Sequence, residues 1–144
     1  MIDPTDRKFL KLAQAIADIF SKDPSTRVGA VAVGAAKNQV AVGYNGLPPG
    51  LTDTDARLHD RDVKLALTLH AEENALANAP FAVHTLYVTH HPCSGCALRI
   101  LAKRTVRRVV YAVNANLESR WAASVAEARM LFAEAGVQIE GVVL

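Results

Sequence analysis

The chain has 144 residues, 51% hydrophobic and 21% charged, a composition that suits one folded domain over 1–144 and excludes a disordered tract. Lys and Arg number 16 against 14 Asp and Glu, and the resulting net charge of +2 is too small a field to advertise a nucleic-acid or membrane partner. No apolar run approaches the roughly 18 residues of a membrane span, and Met1–Asp6 has no basic region leading into an apolar stretch, so no signal peptide is expected.

Phe9, Leu12, Ile16, Ile19 and Phe20 recur at helical spacing, with Pro4 suited to the first turn. Asp23-Pro24-Ser25 stops that helix, because the residue before a proline avoids helical geometry. Val28–Val33 and Val40–Tyr44 are apolar runs around a turn-sized gap and predict a β-hairpin. Gly and Pro mark Asn45–Gly50 as a loop, and 51–60 reads as polar and irregular. Arg61–Ala79 is mostly helical up to Pro80, with a break near Thr68–His70. Thr85–Thr89 predicts a strand, Ser94–Lys103 a helix and Arg107–Val113 a strand. Arg120–Ala135 predicts an amphipathic helix presenting Trp121, Val125, Ala128, Leu131 and Phe132, with Gly136 as its cap, and Val137–Val143 a last strand. Helices alternating with strands imply parallel crossovers, and the hairpin adds an antiparallel pair. The fold class is therefore α/β: a mixed five-stranded sheet with helices on both faces.

The two cysteines, Cys93 and Cys96, form a C-x-x-C pair, which points to metal or redox chemistry in a reducing compartment. With His70 they make an open zinc site of three ligands, the fourth tetrahedral position being left for water. Two thiolates offset the charge of Zn²⁺, yet the metal still lowers the pKa of that water. Glu72, two residues after His70, is placed to shuttle protons. His70-Ala71-Glu72 followed by Pro92-Cys93-Ser94-Gly95-Cys96 matches the H-x-E…P-C-x-x-C signature of zinc nucleobase deaminases. If His70 and Cys93 each open a helix, two positive helix ends face the metal and favour thiolate. The competing readings are a structural zinc with His90 or His91 as fourth ligand, and a redox pair that leaves His70 and Glu72 unexplained.

Three stretches resemble the deoxycytidylate (dCMP) deaminase family along nearly the whole chain: Ser21-Lys22-Asp23-Pro24-Ser25-Thr26-Arg27-Val28-Gly29-Ala30, Gly43-Tyr44-Asn45-Gly46-Leu47-Pro48-Pro49-Gly50 and His70-Ala71-Glu72-Glu73-Asn74-Ala75. Arg57-Leu58-His59-Asp60-Arg61 with Lys64 looks like its bacterial and phage branch. The resemblance implies the cytidine-deaminase-like three-layer sandwich, Zn²⁺ as cofactor, and hydrolysis of dCMP to dUMP and ammonia in the cytoplasm. It implies His70, Cys93 and Cys96 as zinc ligands, Glu72 as general acid and base, Asn45 as a nucleoside contact, and the Ala71 backbone as holder of the base carbonyl. Lys22 and Arg27 are the candidates for the phosphate, one as a point charge and one as a fork, and Tyr111 for enclosing the nucleotide. Their plain alternatives are solvated cations, a turn asparagine and a core tyrosine. The resemblance also implies a homo-oligomer, a hexamer, with the apolar helix after His70 as a candidate interface.

Two features depart from the family pattern. Leu51 stands where nucleotide-regulated members carry a cysteine, and no thiol is left for a second metal, so control by dCTP and dTTP is not expected; His59 reads as an exposed polar residue. Thr89-His90-His91-Pro92 puts paired histidines where the superfamily lines its base pocket, which implies either a role beside zinc or a pocket adjusted to a 5-substituted cytosine. The basic cluster Lys103, Arg104, Arg107 and Arg108 lacks interleaved aromatics and reads as a solvated edge, so no stable nucleic-acid partner is expected. A deaminase of another base or nucleoside stays open beside dCMP. So does a non-catalytic zinc-containing nucleotide sensor, although simple binding gives Glu72 nothing to do.

Overall fold

The computed structural model describes residues 1–144. The chain runs α1 (Pro4–Phe20), β1 (Gly29–Val33), β2 (Val40–Tyr44), α2 (Asp55–His59), α3 (Arg61–Leu67), α4 (Ala71–Asn78), β3 (Thr85–Val88), α5 (Ser94–Ala102), β4 (Arg108–Ala112), α6 (Ala115–Arg120), α7 (Ala122–Ala135) and β5 (Gln138–Val142). The sheet order is β2-β1-β3-β4-β5. β1 is antiparallel to both neighbours, and β3–β4 and β4–β5 are parallel, which is the mixed sheet expected.

Side chains alternate along each strand, so the sheet feeds two cores. Ala30, Ala32, Leu86, Val88, Val109 and Tyr111 meet α4, α5 and α7 through residues such as Leu76, Ile100 and Phe132. Val31, Val33, Tyr87, Val110 and Val142 meet Leu10 and Ala13 of α1 on the other face. The result is three layers, with helices on both sides of one sheet.

α1 begins at a reciprocal cap: the Asp3 carboxylate accepts from the Asp6 N–H, and the Asp6 carboxylate accepts from the Asp3 N–H. Its buried face differs from the expected one. Leu10, Ala13, Ile16 and Ala17 point inward, while Leu12, Ile19 and Phe20 are exposed. The reason is close approach. Ala13 and Ala17 lie against Gly29, where any Cβ would run into the Ala13 carbonyl oxygen, so the small residues face the sheet and the larger ones turn out.

The break at Thr68–His70 is present: α3 ends at Leu67, Leu69 bridges to Gly46, and His70 caps α4. The stretch 51–60 is not all irregular. It holds α2, capped by Thr54 Oγ1 accepting from the Arg57 N–H; no residue of α2 is buried, so no apolar period marks it. The expected helix 120–135 is α7 preceded by a separate α6, and Trp121 is the joint between them, 48% exposed rather than core. Gly136 does cap α7, in the left-handed conformation at φ 76°. Arg108 leaves the solvated basic cluster, because its guanidinium pairs with buried Asp6 and with Glu140.

α4 does not offer its apolar face as an interface. Ala71, Ala75 and Leu76 are buried within the chain. Its polar side seals the free edge of β2: Asn74 Oδ1 accepts from the Tyr44 N–H at 3.0 Å, and Asn78 Nδ2 donates to the Val42 carbonyl at 2.9 Å. No helix is long and apolar enough to cross a membrane.

Candidate active site

Two helix starts converge. His70 is the N-cap of α4, and Cys93 is the N-cap of α5 with Cys96 one turn on. His70 Nδ1 therefore stands 3.3 Å from Cys96 Sγ and 3.6 Å from Cys93 Sγ. A tetrahedral zinc with nitrogen at about 2.0 Å and sulfur at about 2.3 Å has an N···S edge of about 3.5 Å, so the donor set fits zinc in both chemistry and spacing. The three ligand atoms lie within 4.8 Å of one another, and no second group of three metal-ligating side chains is assembled. His59 joins none; its Nδ1 is 3.1 Å from the Asp55 carbonyl oxygen and its side chain is exposed.

These three side chains compete for protons. Hydrogen bonding with Cys96 draws the Cys93 thiol down to about 3, against the opposing effect of burial. The same contact, with burial, pushes Cys96 up. His70 is raised to about 9, first by its hydrogen bond with Cys93. A sulfur that gives up its proton beside an imidazole is ready-made metal-ligand chemistry.

His70 and Cys93 open onto a cavity of about 580 Å³. Glu72, the second residue of α4, is on its wall at 5% exposure, and burial pushes its carboxyl up from the ordinary value. Ala71, Asn45, His90 and His91 line the same cavity. Asn45 also knots the loop before β1 to the end of β2: its Oδ1 accepts from Ser21 Oγ at 2.7 Å and from the Val28 N–H at 2.8 Å, and its Nδ2 donates to the Thr26 carbonyl at 2.9 Å. One Nδ2 hydrogen is left uncommitted. His91 Nδ1 lies 2.8 Å from the Pro92 carbonyl, which only a protonated Nδ1 can bond, and burial lowers the pKa of both His90 and His91. Two neutral imidazoles thus form part of the wall.

Three expected contacts stand elsewhere. Lys22 is 71% exposed and pairs with Asp53 at 2.7 Å, away from this cavity. Arg27 donates to the Asp18 carbonyl at 3.1 Å. Tyr111 is a core residue behind His91, their rings edge-to-face at 4.7 Å, with its hydroxyl accepting from Arg129 Nη2 at 2.9 Å. The cations on the wall are instead Arg61 and Lys64 of α3 and Arg120 of α6. Lys64 is tied to Asp23 at 3.2 Å and to Ser25 Oγ at 3.1 Å. Trp121 completes the wall beside Arg120. Periodicity sets Trp121 on the apolar face of a single helix over 120–135; the Asn114 cap, six residues before Arg120, is the signal that a separate helix begins there.

The model of the cytidine and deoxycytidylate deaminase zinc-binding region matches residues 3–113. A protein of Aliivibrio fischeri described as an uncharacterized deaminase in the luxG 3' region is 35% identical over 141 residues, covering 96% of this chain and 94% of that one. The deoxycytidylate deaminase of Mus musculus is 33% identical over 125 residues, covering 81% of this chain and 68% of its own. The crystal structure of dCMP deaminase from the cyanophage S-TIM5 in complex with dCMP and dUMP superposes with a TM-score of 0.77 at 25% identity, over 99% of this chain and 100% of that one.

Proposed function

Because the chain belongs to the cytidine and deoxycytidylate deaminase zinc-binding family, we propose that residues 1–144 form one deaminase unit that hydrolyses dCMP to dUMP and ammonia. The observation that carries the reading is Glu72, a buried carboxyl two residues from His70 on the wall that His70 and Cys93 share. The substrate is supported by the mouse relative, a deoxycytidylate deaminase, and by the phage enzyme that holds dCMP and dUMP.

When held by His70, Cys93 and Cys96, zinc supplies Lewis-acid chemistry and brings the pKa of a water down toward ~7. Glu72 moves the protons. Its carboxylate takes one from the water as the water oxygen bonds to C4 and gives it to ring N3; it then carries the water's second proton to the C4 amino group, the C4–N bond breaks, and ammonia leaves as the C4 carbonyl forms. Burial raises its pKa, which lets the carboxyl hold a proton between those steps. The Ala71 backbone orients the base carbonyl, and the free amide hydrogen of Asn45 is directed to the nucleoside. His90 and His91, both neutral, wall the base from water. Arg61 and Arg120 meet the phosphate, while Lys64, already paired with Asp23, fixes the loop that carries Ser25.

Assembly as a hexameric homo-oligomer in the cytoplasm goes with this reading. Exposed Ile19, Phe20, Val63 and Leu65 supply apolar surface for such contacts.

The test is ammonia release by zinc-loaded protein from dCMP, CMP, deoxycytidine and 5-methyl-dCMP. The reading expects dCMP to be fastest. Nucleotide binding with no ammonia from any of them would replace it with a zinc-containing sensor. A second reading, a 5-substituted dCMP as the preferred substrate, is favoured by the paired histidines on the wall and would appear as faster turnover of the methylated nucleotide.

A further inference from the structure

Glu73 and Arg99 are on no wall of the cavity, yet they connect the two helix starts that carry the metal-ligating side chains. Glu73 Oε1 accepts from the His70 backbone N–H at 3.3 Å. Its other oxygen, Oε2, is 2.6 Å from Arg99 Nε. The same guanidinium donates from Nη1 to the Gly95 carbonyl at 2.9 Å. A continuous path thus runs from the backbone of His70, through Glu73 and Arg99, to the turn between Cys93 and Cys96.

Each half of the path is local. Glu73 is three residues after His70, and Arg99 is four after Gly95, so each contact spans one helical turn. The Glu73–Arg99 ion pair crosses from α4 to α5. Gly95 lies beside this route: a Cβ there would stand 3.3 Å from the flexible end of Arg99, at Nη1, and in ordinary contact with Cys93 Sγ at 3.9 Å.

As an ion pair this contact does little for stability, since Arg99 is 58% exposed and Glu73 22%. Its effect is geometric. Arg99 Nη1 is hydrogen-bonded within α5 while its guanidinium is ion-paired with Glu73 of α4, so one side chain links the two helix caps.

We propose that Glu73 and Arg99 are positioning residues, a strap that sets His70 against Cys93 and Cys96 and so slows the loss of the metal. The proposal rests on the zinc reading above. Outer contacts that orient metal ligands typically change affinity about 10- to 100-fold.

The experiment follows zinc release to a chelator from metal-loaded wild type, Arg99→Ala, Glu73→Gln and the double variant, and compares the visible spectra of their cobalt-substituted forms. Each single variant should release zinc about tenfold faster. The double variant should be no faster than the faster single, because one path is cut twice. The cobalt bands should shift, as they would not if the pair merely stiffened the fold. Arg7→Ala, which removes an exposed bond to the Val143 carbonyl, should behave as wild type. Single-variant rates within twofold of wild type, multiplied effects in the double variant, or cobalt spectra that coincide with wild type would each overturn the strap. Wild-type protein that takes up no zinc would overturn the metal reading first and the strap with it, an outcome separate from any difference between variants.

Discussion

The guanidinium of Arg108 holds the carboxylate of Asp6 through two bonds, Nη1 to Oδ1 at 2.7 Å and Nη2 to Oδ2 at 2.8 Å. The pair ties β4 to α1, and the Tyr87 hydroxyl adds a third bond to Asp6 at 2.7 Å. Burial alone would raise the Asp6 carboxyl, but the bonds from Arg108, the Asp3 N–H and Tyr87 outweigh it and hold Asp6 well below the usual carboxylate range. A folded value below the ordinary ~3.9 means the contribution is complete above about pH 4 and is lost as pH falls from there through the folded value. Acid unfolding followed by circular dichroism should show that limb. Asp6→Asn should flatten it and cost about 2–3 kcal/mol at neutral pH, near the low end for breaking a buried pair. An unchanged acid limb would remove Asp6 from the account.

Gly43→Ala should be severe for a single added methyl. The new Cβ would run into the Ala75 backbone nitrogen and stand 2.7 Å from the Ala71 carbonyl oxygen. α4 carries His70 and Glu72, so lifting it off β2 moves both. A loss of about 2–3 kcal/mol by thermal melting, with reduced zinc content, is expected. A wild-type melting temperature with full zinc would contradict the close approach.

Arg61→Ala and Arg120→Ala should each raise KM for dCMP about tenfold or more, the worth of a charged hydrogen bond, and barely change deoxycytidine. Arg27→Ala should leave both substrates alone, because that side chain is turned to the Asp18 carbonyl. Steady-state kinetics on the two substrates decides between the two sets of cations.

The site divides into what short-range pattern can show and what only tertiary contact decides. His70, Glu72, Cys93 and Cys96 are read from two motifs because each motif is about one helical turn and its geometry is local. The central strands β1, β3 and β4 are read as apolar runs because both of their faces are covered. The buried face of α1 differs from the apolar period because periodicity weighs hydrophobicity, whereas packing against Gly29 selects small side chains. α2 and α6 bury no residue, so no apolar period announces them. Which cations reach the cavity depends on α3 and α6 lining one cavity from some sixty residues apart in sequence. Nothing in the neighbourhood of Lys22 or Arg27 signals that each is held outward by its own partner.

Trp121 is the single tryptophan, about half exposed, on the cavity wall. Adding dCMP to the zinc-loaded protein should therefore change its intrinsic fluorescence in a saturable way, because a nucleotide in the cavity alters the solvation of that ring. A flat titration at nucleotide concentrations that support turnover would place the substrate away from α6.

The central claim is that Glu72 moves protons in a zinc-dependent hydrolysis. Its most direct test is one sample of Glu72→Gln in which zinc content and ammonia release from dCMP are measured together. One zinc per chain is expected, with turnover slower by about 100- to 10,000-fold, the usual contribution of a general acid and base. A zinc-loaded Glu72→Gln enzyme that deaminates dCMP within tenfold of wild type would contradict it.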